Sequence, residues 1–330
     1  METPRNPQPI PPPPGVINAI KAGMDAISSH LSVLLLPLVL DSILWFGPRL
    51  SVHKIFTSVF DQVVALNAPN ASSVSGLLAN KDAIMENIAR FNLFSALRTF
   101  PVGVSSLLSG SLTISHPLGA PSVIEVNSAS GLIGWFLLLT FIGWTLGGLY
   151  FNWVSGVTGL REAKSGSGRA VTQTLLFSLI VTAATFMLGM PVLVVLTVLG
   201  LIGPAILQTA IFVLALLSAW IIVPIFFAPH GMYLRGQNAF YSIYASLRMA
   251  RFTLPTSSMF VLAVFIISQG LNYLWAVPAD DSWMKLVGIA GHAFVTSALL
   301  AASFIYYRDL NAWLEIVFER LKPGAAAPQI

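Results

Sequence analysis

Long apolar stretches alternate with short polar ones along this chain, and six of them have the length of a membrane crossing, roughly 17–25 residues. The first spans about 30–46, "HLSVLLLPLVLDSILWF", and stops at Gly47-Pro48. The second, 131–154, carries no charged residue. Positions 170–229 then run for 60 residues without Lys, Arg, Asp or Glu. "GLIGP", 200–204, combines Gly and Pro strongly enough to turn the chain, which divides this stretch into spans of 171–199 and 205–228. Pro191 alone is expected to kink a helix rather than end it. Spans five and six cover about 255–277 and 286–307. In the second span Gly143-x-x-x-Gly147 matches a small-residue helix-association pattern that is also frequent by chance.

Between these stretches the apolar period shortens to amphipathic segments. Ile17, Ile20, Met24 and Ile27 share a helical face within 15–30, as do Phe240, Ile243, Tyr244 and Leu247 within 232–250. Both segments predict helices lying in a membrane interface. A third stripe, Leu310, Trp313, Leu314, Val317, Phe318 and Leu321, predicts an amphipathic C-terminal helix. Residues 48–130 differ: they hold turn-prone "NAPNASSVSG" and "SHPLGAPS", most of the mid-chain charge, and two amphipathic segments around Ile55–Val64 and Ile84–Phe94. They read as a small, mostly helical insert outside the bundle.

Composition agrees with a membrane class: 55% of the 330 residues are hydrophobic and 9% charged, against about 25% charged in soluble domains. The net charge of +4 is assigned to basic loops facing a cytoplasmic leaflet, because no Lys/Arg cluster is interleaved with aromatics as nucleic acid would require. Arg161, Lys164 and Arg169 lie in one loop, and Arg235, Arg248 and Arg251 follow the fourth span, whereas Lys285 stands alone among the short loops of the other side. The expected fold class is therefore an all-α integral membrane protein: a six-transmembrane-helix bundle with interfacial amphipathic helices and a small helical extracytoplasmic insert. Its parts are a disordered Pro-rich tail (1–14), an interfacial helix and first span (15–47), the insert (48–130), spans two to six (131–307), and a cytoplasmic amphipathic helix and tail (308–330). The expected location is the cell (inner or plasma) membrane, multi-pass, with both termini cytoplasmic.

"APHGMYLRGQNAFYSIYASLRMAR", 228–251, and "GVINAIKAGMDAISSHLSVLLLPLVL", 15–40, resemble segments of bacterial six-span proteins related to the membrane domain attached to some glycerophosphodiester phosphodiesterases. The resemblance implies an integral membrane protein, with an accessory part in export or envelope processes. It implies no catalysis, since the phosphodiesterase domain is a soluble barrel with acidic metal ligands and no segment here supplies one.

Candidate chemistry is sparse. The chain has no Cys, which excludes disulfides, thiolate metal sites and cysteine nucleophiles. The five His residues lack His-x-x-x-His or Glu-x-x-His spacing, so no metal is expected, and no nucleotide or hydrolase fingerprint calls for a cofactor. The sequon Asn70-Ala71-Ser72 is read as chance. Asp41 stands out as a carboxylate inside an apolar span, where it needs a partner, a proton or water. By helical rise, Gln269, Asn272 and His292 fall at a similar depth, so Asp41, Gln269, Asn272 and His292 form a candidate intramembrane polar cluster. Two readings stay open: interhelical hydrogen bonds that fix packing, or a proton relay or solute site. The corresponding functions are a non-enzymatic scaffold or accessory subunit, first, and a transporter or channel-like protein, second. A membrane-embedded enzyme acting on lipid-linked substrates is the third. Expected partners are the lipid bilayer and other membrane-protein subunits, not nucleic acid.

Overall fold

The structure is a computed structural model describing residues 11–67, 78–110, 115–159 and 166–321. The Asn70-Ala71-Ser72 sequon, most of the 159–169 loop, and the chain before residue 11 and after Leu321 lie outside the described residues. The protein is all-α in class, with 81% of the described residues helical. Its helices are α1 (Val16–Ser28), α2 (Leu35–Phe46), α3 (His53–Asn67), α4 (Lys81–Arg90), α5 (Ala129–Val157), α6 (Ser167–Ile202), α7 (Pro204–Leu234), α8 (Ala239–Ala276) and α9 (Lys285–Leu321). Helices α5 to α9 are each long and apolar enough to cross a membrane. A sixth crossing is reached if α1 and Leu31–Phe46, bent by 91° at a short break, count as one.

Helix α9 forms the axis. In its most apolar stretch 61% of residues are buried, against 6% in α6, so α9 is enclosed by its neighbours and α6 is peripheral. The bent pair follows α9 along its length. Trp313 Nε1 donates to the Pro11 carbonyl at 2.8 Å, Gly23 of α1 lies against Ala298 and Ala302, and Trp45 Nε1 donates to the Asp280 carbonyl at 2.8 Å. Backbone meets backbone at Gly23, where a Cβ would collide with the Ala298 carbonyl and the Ala302 nitrogen. The α1 face against α9 is Ala19, Gly23 and Ile27, while Ile17, placed on the apolar face by its spacing, is 81% exposed. The break is satisfied locally: Ser28 and Ser29 hydroxyls donate to the Asp25 carbonyl, and His30 Nδ1 lies 3.0 Å from the Ala26 carbonyl. Side chains thus take over carbonyls that the helix end leaves open.

The chain turns at Gly203, and Pro204 opens α7 at a position where its missing N–H is harmless. Around this turn α6 and α7 expose apolar side chains on every side, among them Phe186, Leu201, Phe212 and Trp220. Helix α8 corrects the reading of 232–250 as a separate interfacial helix. Residues up to Leu234 finish α7, Gly236 at φ 62° makes the turn, and α8 then continues unbroken through Pro255 to Ala276. Its buried face is small and hydroxylic. Ser242 donates to the Ala228 carbonyl and Ser246 to that of Pro224 at 2.6 Å, whereas Phe240, Tyr244 and Leu247 point outward. The C-terminal stripe is likewise continuous with α9, and Leu310 and Leu314 are its buried members.

The insert is not helical throughout. β1 (Arg49–Ser51) pairs in parallel with β2 (Val123–Glu125), Arg49 opposite Val123. The strands draw the two ends of the insert together above the bundle. At the same end Lys285, buried, binds Asp280 at 2.7 Å and the carbonyls of Pro278 and Ala276, closing the α8–α9 connection.

Candidate functional site

Residues 91–110, "FNLFSALRTFPVGVSSLLSG", hold a single charge, Arg98, and they leave the insert to enter the bundle. The entry is marked by Asn92, whose Oδ1 accepts the N–H groups of Leu50 and Phe94 and starts a short 3-10 turn at Leu93–Leu97. Leu97 and Thr99 then lie on Gly143 of α5, and Gly103 on Gly147, where a Cβ would approach the Gly103 Cα to 2.7 Å. Gly147 is about 27 Å along α5 from Ala129 at 1.5 Å per residue. On the return Ser105 Oγ meets Thr296 Oγ1 of α9 at 2.8 Å, about 16 Å along α9 from Lys285 by the same rise. The segment therefore enters and leaves from the Lys285 end and reaches the middle of two apolar helices. The Gly143/Gly147 pair serves this approach: two glycines leave a trough for irregular backbone.

Irregular backbone among apolar helices must find its own hydrogen-bond partners. Trp144 Nε1 donates to the Phe100 carbonyl at 3.0 Å, and Thr99 Oγ1 to that of Val102 at 2.7 Å. Asp41 serves the returning arm. Its carboxylate, fully buried, accepts the Ser106 hydroxyl at 2.5 Å, the Leu107 N–H at 3.0 Å and the Leu108 N–H at 3.1 Å. Three donors converge on one carboxyl group at the start of a 3-10 turn. Arg98 joins the arms by donating to Ser109 Oγ at 3.1 Å.

The four residues singled out from the sequence are placed as follows. Asp41 and His292 are both buried. Gln269 is exposed and Asn272 half-buried. No hydrogen bond joins Asp41 to Gln269, Asn272 or His292 among the described residues; its acceptor sites face the re-entrant turn instead. No group of His, Asp and Glu able to hold a metal occurs among the described residues.

The span bounds 205–228 leave His230 just past a span end; it lies near the end of α7 and is buried in the bundle. His230 and Ser303 of α9 share a hydrogen bond of 2.7 Å between Nε2 and Oγ, and Ser303 also donates to the Leu300 carbonyl at 2.7 Å. The ring sits among Phe226, Phe227, Phe304 and Tyr307, with centroids 4.6–5.8 Å away. Its Nδ1 has no hydrogen bond; the Phe226 and Phe227 carbonyls lie near it without meeting that geometry. His230 and Ser303 face a cavity of about 340 Å³ lined on one side by Phe100 and Pro101, the tip of the re-entrant segment. Phe151, Phe226 and Leu300 supply apolar wall, and Ser268 and Thr296 are its other hydroxyls. One signal in the sequence could have found the segment: twenty residues with one charge inside an otherwise polar insert. Nothing in the spacing around His230 marks it. The chain matches no family model, no curated protein and no solved structure.

Proposed function

We propose that the protein is a six-span membrane carrier, with the chamber beneath the re-entrant tip as its binding site. In this reading the bent pair is the first crossing and α5 to α9 are the other five. The basic loops lie in the cytoplasm, together with both termini. Lys285 does not oppose this orientation, since Asp280 at 2.7 Å neutralises the basic group of the outer loop. The observation that carries the carrier reading is the cavity itself: the tip of a re-entrant segment and hydroxyl-bearing helices meet around a mid-bundle space with a buried histidine. Irregular backbone at membrane depth is tolerated where it is enclosed by protein or lines a cavity, and solute sites are commonly built that way. Asp41 is not given the solute; it holds the turn in place.

A scaffold role is the second reading, favoured by the α6–α7 hairpin, whose exposed apolar surface suits another membrane subunit as well as lipid. Because the chain lacks Cys, single cysteines separate the two. With Leu300→Cys in sealed vesicles, a carrier gives reaction with hydrophilic thiol reagents from either face, more slowly than the exposed control Ser58→Cys. A closed scaffold leaves the thiol unreactive from both faces.

A further inference from the structure

Resting on the carrier reading, we infer that the His230 chamber takes an uncharged, lipid-soluble molecule bearing a hydrogen-bonding oxygen, and that this ligand enters sideways past Phe100 and Ile222. The wall selects against charge. No charged side chain lines the cavity, and its surface is mostly Phe, Ile, Leu and Val. An ion brought there would lose its hydration without a counter-charge, so a neutral ligand is selected. The nearby guanidinium of Arg98 is not part of the lining and is engaged with Ser109.

The polar groups that remain suit an oxygen. Thr296 donates to the His292 carbonyl at 2.7 Å, so its proton is taken. Ser268 forms no hydrogen bond among the described residues, and its hydroxyl is available to a ligand oxygen. Opposite, the His230–Ser303 pair presents a second polar edge. A volume of about 340 Å³ admits a molecule of one or two rings rather than a whole lipid.

The mouth is apolar as well. Phe100 and Ile222 line the cavity yet are 60% and 49% exposed, so the chamber opens to the outside of the bundle past apolar side chains. Leu262 and Phe265 of α8, beside the lining residue Val264, are also more than half exposed. This route, at the depth of the spans, passes over lipid-facing surface.

Benzophenone tests the proposal directly: it is neutral, has one carbonyl, and photolabels the C–H bonds it rests against. The protein in lipid nanodiscs should be labelled in the peptides containing Ile222–His230 and Thr296–Ser303. Leu300→Trp, which fills the cavity, should abolish that labelling. Ser268→Ala should reduce it about three- to tenfold, as for loss of one hydrogen bond. Should Leu300→Trp not fold, the labelled peptides and Ser268→Ala decide alone. Labelling spread evenly over the exposed parts of α6 and α7, indifferent to these changes, overturns the proposal. A Leu300→Cys thiol reactive from both faces with no benzophenone label also overturns it, and leaves a carrier of water-borne solutes. Label in the cavity with that thiol unreactive keeps the lipophile site and removes the carrier.

Discussion

Asp41 of α2 and Ser106 of the re-entrant segment, 65 residues apart, are joined by a 2.5 Å hydrogen bond from the serine hydroxyl to Oδ1. The same carboxylate holds the next two backbone N–H groups, so the bond is one strand of a three-point clamp. Asp41→Asn keeps the shape but can accept at one oxygen only. It should lower unfolding free energy by about 1–3 kcal/mol, the cost of a buried donor left without an acceptor. Ser106→Ala should cost less. Because both act on one turn, the double mutant should be non-additive by about 0.5–3 kcal/mol. Denaturant melts in detergent measure all three, and strict additivity contradicts a shared clamp.

Gly147 and Gly134 of α5 offer a controlled pair. Gly147 faces Gly103 at van der Waals limits, whereas a Cβ at Gly134 meets nothing within 4 Å. Gly147→Val should push the re-entrant backbone away and destabilise by roughly 1–3 kcal/mol or more, the usual range for overpacking. Gly134→Val should leave the melting temperature nearly unchanged. Equal effects at both sites would mean that the segment does not lie in the α5 trough.

The faces of α8 should respond in the reverse order from their hydrophobicity. Ser242→Leu and Ser246→Leu break hydrogen bonds to the Ala228 and Pro224 carbonyls and drive bulk into a tight helix contact. Both should sharply lower the yield of folded protein. Phe240→Ala and Tyr244→Ala, on the exposed face, should be tolerated. Size-exclusion profiles in detergent read the difference.

These contrasts explain which parts of the fold the sequence made legible. Apolar length marked the long helices well, because a charge-free run such as 170–229 has few other structural uses. Which face of α1 and α8 packs on other helices was not legible, for one physical reason. In an apolar solvent a bulky side chain gains little by burial, and contact is made where Ala19, Gly23, Ser242 and Ser246 let helices close up. Asp41 was recognisable as a residue in need of a partner. Its partners were not, because they are a serine and two main-chain N–H groups in a segment whose flanks read as extramembrane. The burial of His230 was not legible, because its packing on Ser303 is a tertiary fact.

Everything proposed for the chamber depends on the re-entrant segment, and Ser105 with Thr296 tests that segment most directly. Their hydroxyls are 2.8 Å apart although 191 residues separate them, and one lies in the insert while the other is mid-helix in α9. On the cysteine-free background, Ser105→Cys with Thr296→Cys should form an intramolecular disulfide under mild oxidation in the native membrane. After protease cleavage between the two positions, the fragments should run together until reductant is added. Two thiols that never cross-link, with the one at position 105 freely labelled by a membrane-impermeant maleimide, would place the segment outside the bundle and contradict this structure of the site.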